Sequence, residues 1–192
     1  MTELTLNKET HTYTVGKAVI PSVTQILAAT RFFDQRFYTE YAATRGSYIH
    51  KATELYDRRE LDEETLDDEL RGYLAAWKLF LSQVKPAFAP GGIEKRGYSE
   101  IYGFAGTVDR VGAIDGNRAV IEIKSGMKLA AHAIQLAGYT ILLDPIDYRG
   151  IRRYSVYLKQ DGFYSLEQYT DKNDAKVFLS AVAVYKYQEA HK

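Results

Sequence analysis

The sequence predicts an α/β sandwich, in which helices cover the two faces of a mixed β-sheet. Two observations support this class: helical and strand-like apolar patterns interchange along the chain, and helices are expected before, between and after the strands. At 192 residues the chain is long enough to bury a substantial core. We therefore expect a single domain over residues 1–192.

The composition excludes several kinds of site. The chain has no cysteine, which rules out disulfides, thiolate zinc sites, cysteine nucleophiles and iron–sulfur clusters, and favours a cytoplasmic protein. It contains no apolar run of about 18 residues, and we expect neither a membrane span nor a signal peptide. The formal net charge is zero, so a nucleic acid would have to bind a local basic patch.

The N-terminal part, residues 1–24, is predicted to form a small hairpin. Its residues alternate between apolar and polar around Val-Gly-Lys, which is typical of two short strands and a turn. Either Ser22 or Thr24 is expected to cap a short helix that continues through Leu27.

Two longer helices are predicted before the central strands. Apolar residues recur at helical spacing between Phe37 and Asp57. The acidic run 60–69 favours a helix start, where carboxylates meet the positive end of the helix dipole; a partner-binding tail is the alternative. Pro86 and Pro90-Gly91-Gly92 are expected to end the second helix.

The second half of the chain contains most of the strand patterns. Strands are predicted at about 93–102, 104–114 and 118–125, followed by a helix at about 130–143. An Asp-Gly pair within residues 154–169 indicates another hairpin. The segment DAKVFLSAVAVYKYQEA predicts a closing helix.

A second Asp-Gly pair, Asp115-Gly116, lies between two of these strands and fixes their expected pairing. If it forms a two-residue turn, Ile114 pairs with Asn117. Counting back from the turn then places Asp109 directly opposite Glu122, and the next position on the same face places Thr107 opposite Lys124.

Charged side chains therefore share one face of a strand pair that is otherwise apolar. Because side chains alternate along a strand, Asp109, Glu122 and Lys124 point to one face and Ile121 and Ile123 to the other. Opposed carboxylates repel each other. A divalent cation between them would explain the arrangement, and oxygen ligands favour magnesium or manganese. A solvated strand face or a simple salt bridge is the alternative.

Two helices carry further polar candidates. Gln135 and Tyr139 are four residues apart and therefore share a helical face. In the earlier helix, Gly46 permits close approach and His50 follows one turn later. A histidine at such a position is more often a packed or surface residue than a ligand.

Five motifs in order resemble the PD-(D/E)XK nuclease superfamily. They are IPSVTQIL, G-x-x-x-H, GFAGTVD, IEIKSG and QLAGY, within about residues 10–140. The chain is most similar to the RecB-type branch, which includes phage exonucleases and the mitochondrial genome maintenance exonuclease. The resemblance implies a restriction-endonuclease-like α/β/α sandwich, with the catalytic strands and the Q-x-x-x-Y helix in residues 93–143.

The resemblance also implies a role for each matching residue. It assigns metal binding to His50, Asp109, Glu122 and the backbone carbonyl of Ile123, and catalysis to Asp109, Glu122, Lys124, Gln135 and Tyr139. Val108 stands where many members have proline. The expected cofactor is Mg²⁺ or Mn²⁺, without an iron–sulfur cluster. Glu100 either supports the site or is an ordinary surface glutamate.

Substrate binding is expected at basic residues near these motifs. Arg31 and Arg36 are interleaved with aromatic residues, which is typical of a platform for unpaired bases; aromatic side chains packing inward are the alternative. The segment YRGIRRY (148–154) belongs either to this surface or to an edge strand guarded by charge. The further candidates for phosphate contact are Arg45, Lys51, Arg110 and Lys128.

The sequence thus predicts a metal-dependent DNA nuclease. The resemblance favours an exonuclease of phage or bacterial recombination and repair, in the cytoplasm of a bacterium or of a phage-infected host cell, with DNA and a recombination or replication protein as partners. A structure-selective or restriction-like endonuclease is one alternative. A catalytically silent nucleic-acid-binding module on the same fold is another.

Overall fold

The computed structural model of the chain describes residues 3–7, 10–33 and 39–192. It confirms a mixed α/β architecture in which helices flank a five-stranded sheet. In chain order the elements are β1 (Leu4–Asn7), β2 (Thr12–Val15), β3 (Ala18–Ile20), α1 (Val23–Ala29), α2 (Glu40–Arg58), α3 (Asp68–Val84), β4 (Ala87–Ser99), β5 (Phe104–Ile114), β6 (Asn117–Lys124), α4 (Ala131–Leu143), β7 (Arg152–Leu158), β8 (Tyr164–Tyr169) and α5 (Asp174–Ala190).

The central sheet has the strand order β4-β5-β6-β7-β8. Its neighbours are antiparallel except β6 and β7, which are parallel. A parallel pair requires a crossover connection, and α4 is the helix in that crossover. The end of β6, the start of α4 and the loop between them therefore come together at one end of the sheet.

Apolar clusters cover both faces of this sheet. One contains residues of α1, α4 and α5, including Leu136 and Phe178. The other is built on α3, where Trp77 and Phe80 stack at 5.0 Å against Ile121 and other strand residues. Truncating a buried aromatic residue of this kind to alanine costs about 3–5 kcal/mol. The two clusters hold the sheet, and hence the site on it, in a rigid frame.

The N-terminal segment forms one strand more than predicted. The expected hairpin is present as β2 and β3, and β1 adds a third strand in the order β1-β2-β3. The short stretch LTLN of β1 is too brief to give a strand pattern of its own. The small sheet is joined to β5 by the Tyr13 hydroxyl, 2.7 Å from Thr107 Oγ1, and by the Ala105 amide, which donates to the Pro21 carbonyl at 2.9 Å.

The helix starts follow their capping residues. Of the two candidates at α1, Ser22 is the cap, and with Gln25 it forms a capping box. Thr39 caps α2, and the start predicted at Phe37 lies outside the described residues. Asp67 caps α3, with two further acids in its first turn, so the acidic run marks a helix start as expected.

Pro90-Gly91-Gly92 does not end a helix, as the sequence predicted, but lies inside β4. Helix α3 already ends at Val84, and β4 pairs with β5 on both sides of an irregularity between Phe88 and Ile93. The strand accommodates this irregularity because Gly91 adopts a positive φ of 64°. A Cβ on Gly92 would lie 2.3 Å from the Val111 carbonyl oxygen. The bulge is thus built on two glycines.

Both predicted Asp-Gly turns form hairpins. Ile114 pairs with Asn117 across Asp115-Gly116, which confirms the two-residue turn. The β7–β8 hairpin has a longer loop, Lys159–Phe163, closed by the Lys159 amide donating to the Phe163 carbonyl at 2.9 Å. Among the helices of the described residues, none combines the length and apolar character needed to cross a membrane.

Candidate active site

Three carboxylates lie side by side on neighbouring strands. The β4–β5 register places Glu94 beside Asp109. The β5–β6 register, continued by one position, places Asp109 beside Glu122. We call Glu94, Asp109 and Glu122 the acid row. Adjacent cross-strand carboxylates repel each other, so this row needs compensating positive charge.

The β5–β6 ladder ends just before the acid row. Its last pair is Arg110 with Ile121, and the expected opposition of Thr107 and Lys124 is not a paired position. The Ile123 amide donates instead to Asp109 Oδ2 at 2.7 Å. The strands part here because a side chain takes the backbone donor, and this bond fixes the Asp109 carboxylate. The Ile123 amide thus contacts Asp109, and metal binding by the Ile123 carbonyl stays a prediction.

A compact group of metal-binding atoms lies at one end of the acid row. One ligand atom each of His50, Glu94 and Asp109 lies within 4.8 Å of the others. His50 reaches the row from α2, with Nδ1 3.3 Å from Asp109 Oδ1. Glu94 follows the β4 bulge and has a positive φ of 52°. One imidazole nitrogen and two carboxylates are a donor set suited to magnesium or manganese.

Glu122 lies beside this group but is not part of it, which differs from the predicted ligand set. Its Oε1 accepts from Lys124 Nζ at 2.9 Å and from Gln135 Nε2 at 3.0 Å, so the carboxylate is turned towards α4. Its Oε2 is buried and has no hydrogen-bond partner within the described part of the chain. A buried carboxylate oxygen without a donor is costly. Glu122 therefore retains one oxygen for a cation.

Gln135 connects the helix residues to the acid row. Its Oε1 accepts from Lys124 Nζ at 3.0 Å, and its Nε2 donates to Glu122 and, at 3.1 Å, to the Tyr139 hydroxyl. All of its side-chain polar atoms are engaged, and the residue is 3% exposed. Gln135 thus holds Glu122 and Lys124 in one geometry, and Tyr139 supports Gln135 from the next turn.

The acid row has a divided charge state. Burial and the neighbouring Asp109 carboxylate raise the pKa of Glu94 and that of Glu122 to about 7 each. Burial also opposes ionisation of Asp109, but His50, Lys124 and the Ile123 amide outweigh it and hold the pKa of Asp109 below its ordinary value. Asp109, the central acid, is therefore ionised, while Glu94 and Glu122 are each partly protonated near neutral pH.

His50 is the basic group that faces the carboxylates of the acid row. Burial lowers the pKa of His50, but the carboxylates of Asp109 and Glu122 outweigh burial and raise it above its ordinary value. The metal-free site therefore favours a protonated His50 that pairs with Asp109. As a ligand, the imidazole must release this proton.

Arg110 is a structural residue, and the prediction that it contacts phosphate is wrong. The guanidinium is fully buried. Its Nε donates to Asp57 Oδ2 at 2.6 Å, and its Nη1 donates to Glu94 Oε1 at 3.2 Å and to the Asp109 carbonyl at 2.6 Å. Asp57 also accepts from Trp77 Nε1 at 3.0 Å. Arg110 thus ties α2, β4 and β5 together beneath the acid row.

The other basic candidates lie in different surroundings. Arg45 and Lys51 line the cavity over the acid row, although Lys51 pairs with Glu54 at 3.0 Å. Lys128 pairs with Glu167 at 2.5 Å and lines a neighbouring cleft of about 270 Å³. Arg31 is exposed and outside the cavity lining. Arg36 lies outside the described residues.

The aromatic and basic segments flanking these residues also have defined places. Phe32 is 40% exposed and lines the main cavity, whereas Phe33 packs against the α1–α4 core. In the segment 148–154, Arg153 is buried and pairs with Asp174 at 2.8 Å. The strand β7 is internal to the sheet, so its interpretation as an edge strand guarded by charge is wrong.

A cavity of about 830 Å³ opens over the acid row. Its walls come from β2, the start of α1, α2, the loop after β6 and the first half of α4. Arg45 lies on this wall with its guanidinium over the rings of Tyr41 and Tyr73, at 5.4 and 5.7 Å. Cations on the wall and acids on the floor suit a phosphate-containing ligand held through a metal ion.

Comparison with known proteins supports the fold. No protein-family model and no curated protein sequence matches the chain. A candidate exonuclease from Eubacterium rectale, known from its crystal structure, is 11% identical, with a TM-score of 0.53 over 85% of this chain and 71% of that one. The structure of SSO0001 is 15% identical, with a TM-score of 0.38 over 84% of this chain and 81% of that one. At such identities the first likeness shows a shared fold alone.

Sequence reasoning missed Glu94 and named Glu100 instead, which is exposed in the β4–β5 turn. A signal was present. Ser99 pairs with Phe104 across that turn, and counting back from this pair places Glu94 opposite Asp109. The turn Glu100–Gly103 carries no Asp-Gly or Asn-Gly signature, so the sequence does not mark this register.

Proposed function

We propose that the chain is a divalent-metal-dependent nuclease of the PD-(D/E)XK type, which hydrolyses phosphodiester bonds of DNA. The observation that carries this proposal is the acid row with His50 at its side and an unsatisfied buried oxygen on Glu122. A binding protein has no use for three adjacent carboxylates facing a cavity, whereas a metal-dependent hydrolase requires such a set.

The residues fit a hard divalent cation. His50, Glu94 and Asp109 would hold it, and the unpartnered Oε2 of Glu122 supplies a further oxygen beside them. When bound, magnesium or manganese lowers the pKa of a water molecule and neutralises charge that develops on the phosphate. The resemblance assigns metal binding to three of these residues, and the structure adds Glu94 as a candidate.

The remaining residues position groups around the reacting phosphate. Lys124 Nζ lies between Glu122 and Gln135, so its ammonium offsets the repulsion in the acid row and presents positive charge to the cavity. In this position it orients the attacking water or stabilises the transition state. Gln135 keeps Lys124 and Glu122 in register, and the Ile123 amide keeps Asp109 in place.

The finer parts of the proposal rest on the sequence resemblance. They are a single nuclease domain of the RecB-type branch, exonuclease action, a function in phage or bacterial recombination and repair, and a cytoplasmic location with DNA as the partner. The shared fold with a candidate exonuclease is compatible with them.

A cleavage experiment tests the proposal. The protein is incubated with end-labelled linear DNA and with circular DNA, each single- and double-stranded, and with matched RNA, in magnesium, manganese or chelator. Metal-dependent release of nucleotides from linear DNA alone supports an exonuclease, and cutting of circles supports the endonuclease alternative. Binding without cleavage in either metal would identify the silent module. The Asp109→Asn protein is the control for a contaminating nuclease.

A further inference from the structure

His132 is a buried histidine on the wall of the main cavity, and the mechanism above leaves it without a role. It is 3% exposed and lies at the start of α4, one turn before Gln135. Its Nδ1 is 2.7 Å from the Tyr157 hydroxyl, which is itself 2.8 Å from the Tyr169 hydroxyl. The Leu129 amide also donates to Nδ1, at 3.4 Å.

These contacts select one tautomer of the ring. A backbone amide can only donate, so the Leu129 amide requires a lone pair on Nδ1 of His132. A proton on Nδ1 would face the amide proton. The neutral ring therefore carries its proton on Nε2, and the Tyr157 hydroxyl, which can donate or accept towards both Nδ1 and Tyr169, is compatible with this tautomer.

The other ring nitrogen is available to the cavity. His132 lines that cavity, whereas Tyr157 lines the neighbouring cleft. Nδ1 therefore faces away from the main cavity, and Nε2 is the ring nitrogen on the cavity side. Nε2 has no hydrogen-bond partner among residues 3–7, 10–33 and 39–192. The donor on this nitrogen is open to the cavity, which is where an acceptor would arrive.

We infer that the Nε2–H group of His132 is a substrate-positioning donor, which binds a phosphate oxygen of the nucleic-acid strand in the cavity. This inference rests on the proposed nuclease function. Lys124 and Arg45 line the same cavity, so an anionic oxygen is the acceptor that the surroundings favour. A neutral imidazole adds a directed hydrogen bond there without adding a further cation.

The imidazole stays neutral over the working range of an enzyme. Burial, with a smaller contribution from Lys124, lowers the pKa of His132 to about 3. Its role is therefore that of a fixed donor, and proton transfer is not expected. The ring is locked between the Leu129 amide and Tyr157, so the direction of the donor is set before the strand binds.

The tautomer is tested first, on the metal-free protein without substrate. Nitrogen-15 NMR of the histidine rings distinguishes a protonated Nε2 from a protonated Nδ1. We expect His132 to be the neutral Nε2–H form and Tyr157→Phe to leave the ring neutral. A proton on Nδ1 in the wild-type protein would overturn the inference. The tautomer of the wild-type protein decides this point by itself, so the result does not depend on the folding of the Tyr157→Phe variant.

The contact is tested with a fluorescent single-stranded oligodeoxynucleotide and a pair of matched variants. His132→Gln can place an amide donor near the position of Nε2, whereas His132→Asn places one near Nδ1. We expect His132→Asn to raise KM, and the Kd measured with calcium, about tenfold, as for loss of one hydrogen bond to a charged group. His132→Gln should restore part of the affinity, and kcat should change less than KM in both.

His191→Gln is the control, because His191 is exposed near the C-terminus. If the wild-type protein binds the oligonucleotide and both His132 variants bind it as tightly as the wild type, the inference is overturned but the proposed function is not. No binding or cleavage by the wild-type protein would overturn the proposed function and this inference with it. Equal losses in the two variants at an unchanged melting temperature would assign His132 a packing role only and would also overturn the inference.

Discussion

Arg110 Nε lies 2.6 Å from Asp57 Oδ2 in the interior of the protein, where the Arg110 side chain is 0% exposed and that of Asp57 3% exposed. The pair joins the helix that carries His50 to the strand that carries Asp109. Trp77 contributes to both partners, because its ring lies 5.5 Å from the Arg110 Cζ atom and its Nε1 donates to Asp57. The ion pair thus sets the separation of two candidate metal ligands.

Breaking this pair should destabilise the whole domain. Asp57→Asn leaves a buried guanidinium without its carboxylate, and we expect the free energy of unfolding to fall by about 3–5 kcal/mol. Urea denaturation followed by circular dichroism measures this loss. Glu189→Gln, which breaks an exposed pair with Lys192, is the control and should cost less than about 1 kcal/mol. Equal losses would show that the buried pair has no special structural role.

Neutralising any member of the acid row should stop cleavage and preserve the fold. Glu94→Gln, Asp109→Asn and Glu122→Gln each remove a charged ligand and keep the side-chain volume. We expect kcat to fall by about 100-fold or more in each. Relief of repulsion should leave the metal-free Glu122→Gln protein as stable as the wild type, or more stable by up to about 1 kcal/mol. Asp109→Asn should instead lose stability, because His50, Lys124 and the Ile123 amide favour the ionised Asp109 in the folded protein. Wild-type turnover by the Asp109 or Glu122 variant at limiting metal would contradict the site assignment.

The helix residues should affect turnover more than metal binding. Gln135→Ala removes the group that holds Lys124 and Glu122 together, and we expect kcat to fall about 10- to 100-fold. Tyr139→Phe removes only an acceptor for Gln135 and should have a smaller effect. Calorimetric titration with manganese should give nearly wild-type affinity for both. A loss of affinity comparable to that of Asp109→Asn would place Gln135 among the metal ligands.

His50 should make activity depend on pH and on the choice of metal. Its pKa is raised above the ordinary value by Asp109 and Glu122, against the effect of burial, so acid favours the protonated form that cannot bind metal. Activity should therefore fall as the pH is lowered through this titration, and added manganese should partly restore it. His50→Ala should lose most magnesium-supported activity and keep some with manganese. An equal, small loss with both metals would mean that His50 only orients Asp109.

Metal binding should release protons near neutral pH. The pKa values of Glu94 and Glu122 are raised to about 7, so these acids hold protons that a cation displaces. Apparent manganese affinity should therefore rise with pH up to and through about 7 and then level off. Calorimetry in two buffers of different ionisation enthalpy counts the protons. The Glu122→Gln protein should release fewer, and an unchanged proton count would contradict the charge state described for the row.

The same raised pKa values affect stability without metal. The folded protein binds these protons more tightly than the unfolded chain, so the carboxylates favour folding most at acidic pH. Their contribution is lost as the pH rises from the ordinary glutamate pKa of 4.5 through about 7. The metal-free protein should show this decline in urea denaturation, and manganese should remove it. Glu122→Gln should flatten the metal-free profile.

Much of the fold could be predicted because its local signals are strong. The Asp115-Gly116 turn determines the β5–β6 register, Ser22 marks the start of α1, and the acidic run marks the start of α3. The Pro90-Gly91-Gly92 segment was misinterpreted because turn-forming residues are also the residues of a bulge. The strand β1 was missed because four residues carry too little periodicity.

The candidate site could be predicted only for those residues that a hairpin register or a sequence motif identifies. A hairpin count brings Asp109 and Glu122 together, but nothing in the chain near Arg110 shows that its partner is Asp57, 53 residues earlier. An arginine beside a catalytic motif looks like a phosphate ligand, and only burial distinguishes the two roles. Likewise, the orientation of His132 depends on Leu129 and Tyr157, which lie on different elements.

The β4–β5 hairpin, which pairs continuously from its turn up to the bulge in β4, makes this protein sensitive to the length of its chain as well as to its composition. Four residues of β4, 89–92, lie opposite the single residue Val111 between the pairs Phe88–Gly112 and Ile93–Arg110. Glu94 lies on the turn side of the bulge, where the β4–β5 turn sets its pairing, so a one-residue deletion between Glu94 and Ser99 would shift it by one position along β5 and turn its side chain to the other face. Deletion of a single codon would therefore remove the Glu94 carboxylate from the acid row while every candidate site residue remained in the gene.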